Sequence, residues 1–182
     1  MRRFLACLLL VLALGACIVA PAARAQPPTV QLTPDPLREA DWIDIRGFAV
    51  DPAMNLVVYQ ADPSAPNAHQ IFSVPIVGGT SVEVSNPAAT GNIEGFGITG
   101  DGARVVYLTT SPAFLHSSLI EGSDNVQVSD RPVVSACWES SADGSGVAYV
   151  GWETTFRFEF SAPTNGGSSM IIGEGADALV CR

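Results

Sequence analysis

Chemistry near neutral pH needs a titratable or nucleophilic side chain held beside a partner, and this chain offers few. His69 and His116 are its only histidines. An imidazole titrates close to neutrality, so either could serve as a general base or acid. Neither has a partner that spacing identifies. Both fall near the third strand expected in their repeat units, where a loop or surface histidine is the default expectation. Asp44, Asp51, Glu94 and Glu139 lie near the expected first strands. Carboxylates there could bind a cation or a basic peptide, against the plainer reading of solvated side chains. The sequence carries no Gly-x-Ser-x-Gly elbow, no His-Glu-x-x-His and no phosphate-binding glycine loop. No catalytic residue, metal ligand or cofactor is assigned.

Cysteine chemistry depends on compartment, and the N-terminus supplies one. Arg2 and Arg3 precede an apolar run from Phe4 to Ala20 interrupted only by Gly15, then Pro21, then Ala23-Arg24-Ala25 before Gln26. That order is a secretory signal peptide spanning 1–25, and the run is too short and too soon followed by a cleavage site to be an anchor. Leu14-Gly15-Ala16-Cys17 offers a competing reading, a lipobox in which Cys17 becomes the lipidated N-terminus, although Ile18-Val19-Ala20 would then leave an apolar stub instead of a polar tether. The expected location is periplasmic or extracellular, or lipid-anchored under the alternative. Only Cys137 and Cys181 survive cleavage at Ala25. Export permits a disulfide between them, which would stabilise by about 3–4 kcal/mol; two buried thiols at equivalent repeat positions is the other reading. Neither cysteine has histidines at zinc-like spacing.

The charge balance excludes some partners. Lys and Arg total nine against 18 acidic residues, and the chain has no lysine. Losing Arg2, Arg3 and Arg24 moves the net charge from -9 to -12. Such a field repels nucleic acid and anionic lipid and keeps an exported protein soluble. Nucleic-acid binding is set aside, as is membrane insertion after signal cleavage unless Cys17 is lipidated. Cleavage after residue 25 of 182 leaves 157 residues, enough for one domain with its own core.

The elements that must position these residues come from a repeat. Residues 26–43 are a lead containing Gln26-Pro27-Pro28, the alternating Val30-Gln31-Leu32 and Trp42, an aromatic suited to the core. Three ungapped segments follow: Phe48 to Tyr59, Phe96 to Tyr107 and Trp138 to Tyr149, each with an aromatic 11 residues before a tyrosine. The tyrosines are 48 and 42 residues apart. Each unit continues through Gly78-Gly79, Glu121-Gly122 or Gly166-Gly167 into a last strand, Val82-Glu83-Val84, Val126-Gln127-Val128 or Met170-Ile171-Ile172. Val30-Gln31-Leu32 has this same last-strand character. The second strands (Leu56–Tyr59, Val105–Leu108, Val147–Val150) are apolar throughout, which means burial on both faces. Four strands per unit of about 45 residues is the size of a propeller blade. The fold is read as all-β, with four-stranded antiparallel blades at 44–87, 92–130 and 134–173 and a partial fourth at 176–182.

These residues resemble TolB-like β-propellers, whose repeat runs from an aromatic through Asp-Gly to a tyrosine, a strand and Gly-Gly. Asp101-Gly102…Tyr107 and Asp143-Gly144…Tyr149 fit the pattern over roughly residues 44–173. Unit one departs from it, with Ala53-Met54 in place of Asp-Gly, and turns through Asp51-Pro52 instead. The resemblance implies six or seven blades, so three blades read either as a segment of a longer propeller or as a half that pairs with a second copy. It also implies first strands lining a central channel. The expected function is an exported, non-enzymatic protein-interaction scaffold of the cell envelope, binding another protein or itself. The alternative is the propeller portion of a secreted hydrolase or lyase.

Overall fold

The computed structural model describes residues 29–32, 45–51, 53–62, 68–85 and 92–174. All of their regular structure is β, in three four-stranded antiparallel sheets. The first holds β1 (Ile45–Asp51), β2 (Leu56–Ala61), β3 (Gln70–Pro75) and β4 (Val82–Glu83) in sequence order. The second holds β5 (Ile93–Ile98), β6 (Arg104–Thr109), β7 (Leu115–Leu119) and β8 (Val126–Gln127). The third holds β9 (Val133–Ser140), β10 (Gly146–Glu153), β11 (Phe156–Pro163) and β12 (Met170–Glu174). Trp42, Asp44, the expected strand at 176–182 and the N-terminal segment with Cys17 lie outside the described residues.

The second strands hold the sheets together because their side chains alternate between two apolar neighbours. Val105 and Tyr107 of β6 pack toward blade 1 with Val58, Ile71, Val84 and Ile120, whereas Val106 and Leu108 pack toward blade 3 with Val147, Tyr149 and Phe160. All six residues of β6 are buried, as continuous apolarity requires. β10 differs: Ala148 is exposed, while Val150, two residues on along the same face, is buried.

The aromatic–tyrosine spacing has a register explanation. Phe48, Phe96 and Trp138 lie opposite Tyr59, Tyr107 and Tyr149 across the first and second strands. Each tyrosine ring also stacks on an aromatic of the third strand: Phe72 at 5.5 Å, His116 at 5.6 Å and Phe160 at 5.3 Å. Its hydroxyl crosses to the residue just before the fourth strand, Ser81 in blade 1, Asn125 in blade 2 and Ser169 in blade 3. One side chain thereby ties all four strands of a blade together.

The turns link one blade to the next. Asp101 Oδ1 accepts hydrogen bonds from Thr99 Oγ1 and the Ala103 amide, and Asp143 Oδ1 accepts from Ser141 Oγ, the Ser145 amide and Ser145 Oγ. The Ser141 hydroxyl and the Ser145 donors hold the Asp143 carboxyl down to about 2. In blade 1 Asp51 takes over this role, its Oδ1 accepting from the amides of Ala53 and Met54. The carboxylate of Asp51 then lies against Gly102, and that of Asp101 against Gly144.

Val30–Leu32 belongs to none of the three sheets, yet it has a definite place. A Cβ added to Gly122 would lie 2.7 Å from Val82 Cγ1 and 2.4 Å from the Glu83 carbonyl; one added to Gly166 would lie 3.5 Å from Val126 Cβ and 3.7 Å from the Gln127 carbonyl. One added to Gly78 would lie 2.7 Å from Val30 Cγ1 and 3.8 Å from the Gln31 carbonyl. Leu32 packs on Val57, Tyr59 and Val74 of blade 1 as Val84 packs against blade 2 and Val128 against blade 3. The segment thus sits where the fourth strand of a preceding blade would sit.

Candidate functional site

Of the carboxylates expected beside the first strands, Glu94 and Glu139 are exposed. Glu94 lines a cleft of about 230 Å³ between blades 2 and 3, with Gly95, Phe96, Leu108 and Trp138 forming its other walls. Glu139 stands on β9 opposite Ala148. Asp51 is placed differently: it is buried in its turn against Gly102, so it serves the junction between blades and not an open surface. Among the described residues no group of three His, Cys, Asp or Glu side chains is arranged to hold a metal ion.

The histidines are buried, which corrects their expected surface positions. His116 lies on β7 directly opposite Tyr107, in the place that Phe72 and Phe160 occupy in the other blades. It is a ring in a packing series. His69 lies just before β3, its Nε2 3.2 Å from Asp62 Oδ1, and both side chains are buried. Its backbone amide donates to Asn92 Oδ1, and Gln60 Nε2 donates to the Ile93 carbonyl, so this corner clips blade 1 to the start of blade 2. Spacing hides these roles, since the segment between second and third strands varies from 62–69 to 110–114 to 154–155. A signal was available only by counting from each third strand.

Burial lowers the His116 pKa below its ordinary value. A base with a depressed folded pKa leaves the unfolded chain holding the extra proton between the two values, so stability falls as pH drops through about 6.5. His116→Phe, which installs the ring used in the sister blades, is expected to flatten that part of the profile while keeping the fold. Urea midpoints of both proteins at pH 5 and pH 7.5 check this, and an unchanged difference between the two pH values would count against it.

A polar clasp holds the outer edge of blade 2. Buried Arg104 donates from Nε to Ser117 Oγ at 2.7 Å, from Nη1 to Asp124 Oδ2 at 2.8 Å and from Nη2 to the Asp124 carbonyl at 2.8 Å. A planar guanidinium satisfied on all these sides is a structural fixture, not a free binding charge. Cys137 on β9 is disulfide-bonded. Cys181, its expected partner, lies outside the described residues.

Comparison of this architecture with solved structures decides the fold. A putative TolB from Agrobacterium tumefaciens matches at 15% identity and TM-score 0.51, over 75% of this chain and 53% of that one. The fold is that of a partial TolB-like β-propeller. Other propeller-bearing structures match it as well. The structure of a nidogen/laminin complex matches at 14% identity and TM-score 0.52, over 72% of this chain and 49% of that one. Acylaminoacyl peptidase from Pyrococcus horikoshii matches at 12% identity and TM-score 0.55, over 78% of this chain and 26% of that one. The chain therefore spans about half of the TolB and nidogen chains and about a quarter of the peptidase. No family model and no curated protein matches the sequence. Likeness at these identities establishes the TolB-like blade architecture and leaves function to the side chains.

Proposed function

We propose that this TolB-like segment is an exported, non-catalytic scaffold that binds protein in the cell envelope. The observation that supports the reading is the employment of reactive side chains among the described residues as framework: His116 fills an aromatic packing position, His69 is buried with its Nε2 3.2 Å from Asp62 Oδ1, and Cys137 is disulfide-bonded. What faces outward is the edge near the first strands, where Glu94 and Glu139 stand beside the half-buried rings of Phe96 and Trp138. Aromatic and polar groups of that kind suit the capture of a polypeptide. Cleavage after Ala25, pairing of Cys137 with Cys181 and a periplasmic or extracellular location belong to this reading, with a lipid anchor at Cys17 as the competing attachment.

Expression of the whole chain in a Gram-negative host tests it. The expected product is periplasmic, begins at Gln26, lacks the hydrogens of one disulfide, and turns over neither peptide anilides nor esters. Retention in the cytoplasm, or hydrolysis that survives purification to constant specific activity, would overturn it. A second reading, the propeller portion of a secreted hydrolase or lyase, is favoured by the match to a peptidase of which this chain covers 26%. An open reading frame continuing beyond codon 182 into more blades and a hydrolase or lyase domain would select that second reading.

A further inference from the structure

The cleft between blades 2 and 3 exists because one strand position lacks a side chain. Where β5 pairs with β6 the register slips: Ile93 lies opposite Thr109 and Gly95 opposite Leu108, so Glu94 is the extra residue of a β-bulge. Bulges re-aim side chains and are common beside functional sites. Here Glu94 is exposed, and a Cβ added to Gly95 would meet no atom within 4 Å. In that open space the otherwise buried Leu108 forms a wall, beside the rings of Phe96 and Trp138. The Trp138 indole rests on Gly97, where an added Cβ would lie 3.0 Å from its Cη2.

A volume of about 230 Å³ falls below the about 300–1,000 Å³ usual for drug-sized ligands, so the cleft suits a single side chain. Its lining joins two aromatic rings and a leucine to one carboxylate. Aromatic faces attract cations, and tryptophan does so best. An arginine lays its apolar stem along hydrophobic walls, stacks its planar guanidinium on rings and donates to carboxylate oxygens. Glu94 can accept from it without surrendering another contact, because a carboxylate has two oxygens and about four acceptor positions. The chain as a whole also draws cations, with 18 acidic residues against nine basic ones. A neutral aromatic side chain would make no use of that charge.

We propose that this cleft receives an arginine side chain of a bound polypeptide, its guanidinium against the Phe96 and Trp138 rings and donating to Glu94. The inference rests on the reading that this edge captures protein, and names the side chain that it captures.

NMR chemical-shift titration of the purified chain tests it through the Trp138 indole N–H, assigned by its loss in Trp138→Phe. Acetyl-Gly-Arg-Gly-amide is expected to move that signal along a saturating curve in the millimolar range. Citrulline in place of arginine keeps the shape and removes the charge, so about tenfold weaker binding is expected. Glu94→Gln should weaken the arginine peptide about two- to fivefold, as suits an exposed pair. Gly95→Leu fills the cleft and should abolish the saturating shift. Equal binding of the citrulline peptide or of acetyl-Gly-Phe-Gly-amide overturns the proposal. So does the lack of any saturating shift, or undiminished binding by a Gly95→Leu chain that keeps its urea midpoint. The citrulline comparison uses the unaltered chain, so it decides even where a variant fails to fold. No arginine binding by a periplasmic chain inert toward peptide anilides would sink this inference alone and leave the scaffold reading standing. Hydrolysis by a chain that binds the arginine peptide would do the reverse.

Discussion

Gly144→Ala is expected to destabilise the chain by about 3 kcal/mol or more, enough to unfold a large fraction of a domain of ordinary stability. Two causes add. Gly144 has φ of +72°, where a Cβ costs roughly 1–2 kcal/mol on its own. The added Cβ would also lie 2.2 Å from Asp101 Oδ1 and 2.3 Å from its Cγ. Asp101 cannot swing aside cheaply, because Thr99 Oγ1 and the Ala103 amide hold its Oδ1 at 2.6 and 3.1 Å. The damage therefore reaches the junction between blades 2 and 3 as well as the turn. Gly95→Ala on β5 is the control: nothing lies within 4 Å of its added Cβ, and its φ is not in the left-handed region. A change within about 1 kcal/mol, in the stabilising direction, is expected there. Urea denaturation of both variants measures the contrast, and equal losses would show that contact between Asp101 and Gly144 is not what makes the position special.

Tyr107→Ala should cost a comparable amount, about 3–5 kcal/mol, the usual range for removing a large buried ring. Tyr107 is fully buried; it stacks on His116, faces Phe96 and belongs to the core shared by blades 1 and 2. Truncation opens a cavity at a junction that β-sheet backbones on both sides prevent from collapsing. Tyr107→Phe removes only the hydroxyl that meets Asn125, a half-buried side chain that water can reach, so about 1 kcal/mol is expected. Phe48→Ala, which changes the first aromatic of the same repeat motif, should stay within about 0.5 kcal/mol because that ring is exposed. Thermal or urea unfolding of the three variants tests whether motif position or the presence of a neighbouring blade sets the energy. A loss at Phe48 matching that at Tyr107 would favour motif position.

Much of the architecture was legible without coordinates, because blade formation is local. The 11-residue aromatic–tyrosine interval specifies a first strand, a turn and a second strand in a register that leaves the two rings opposed. Continuous apolarity at Val105–Leu108 announced burial on both faces. Each of these depends on neighbours a few residues apart or on periodicity along one strand. The histidines illustrate the opposite case. His116 looked like a loop or surface side chain, since linkers of unequal length conceal that it stands in the Phe72 and Phe160 position. His69 meets Asp62 because β3 pairs antiparallel with β2, with Gln70 opposite Ala61. Asp51 likewise turned inward to Gly102 of the following blade.

The sequence by itself determined an acidic, all-β repeat chain with TolB-like blades and the strands within each one, since strand pairing inside a blade follows from short-range pattern and turn chemistry. Only the tertiary structure decided which carboxylates stay on the surface, which histidines are framework, and which apolar side chains are exposed. Those outcomes depend on what the next sheet presents at each position. A residue's fate at a blade junction is set across the junction, by side chains roughly one repeat away in the chain.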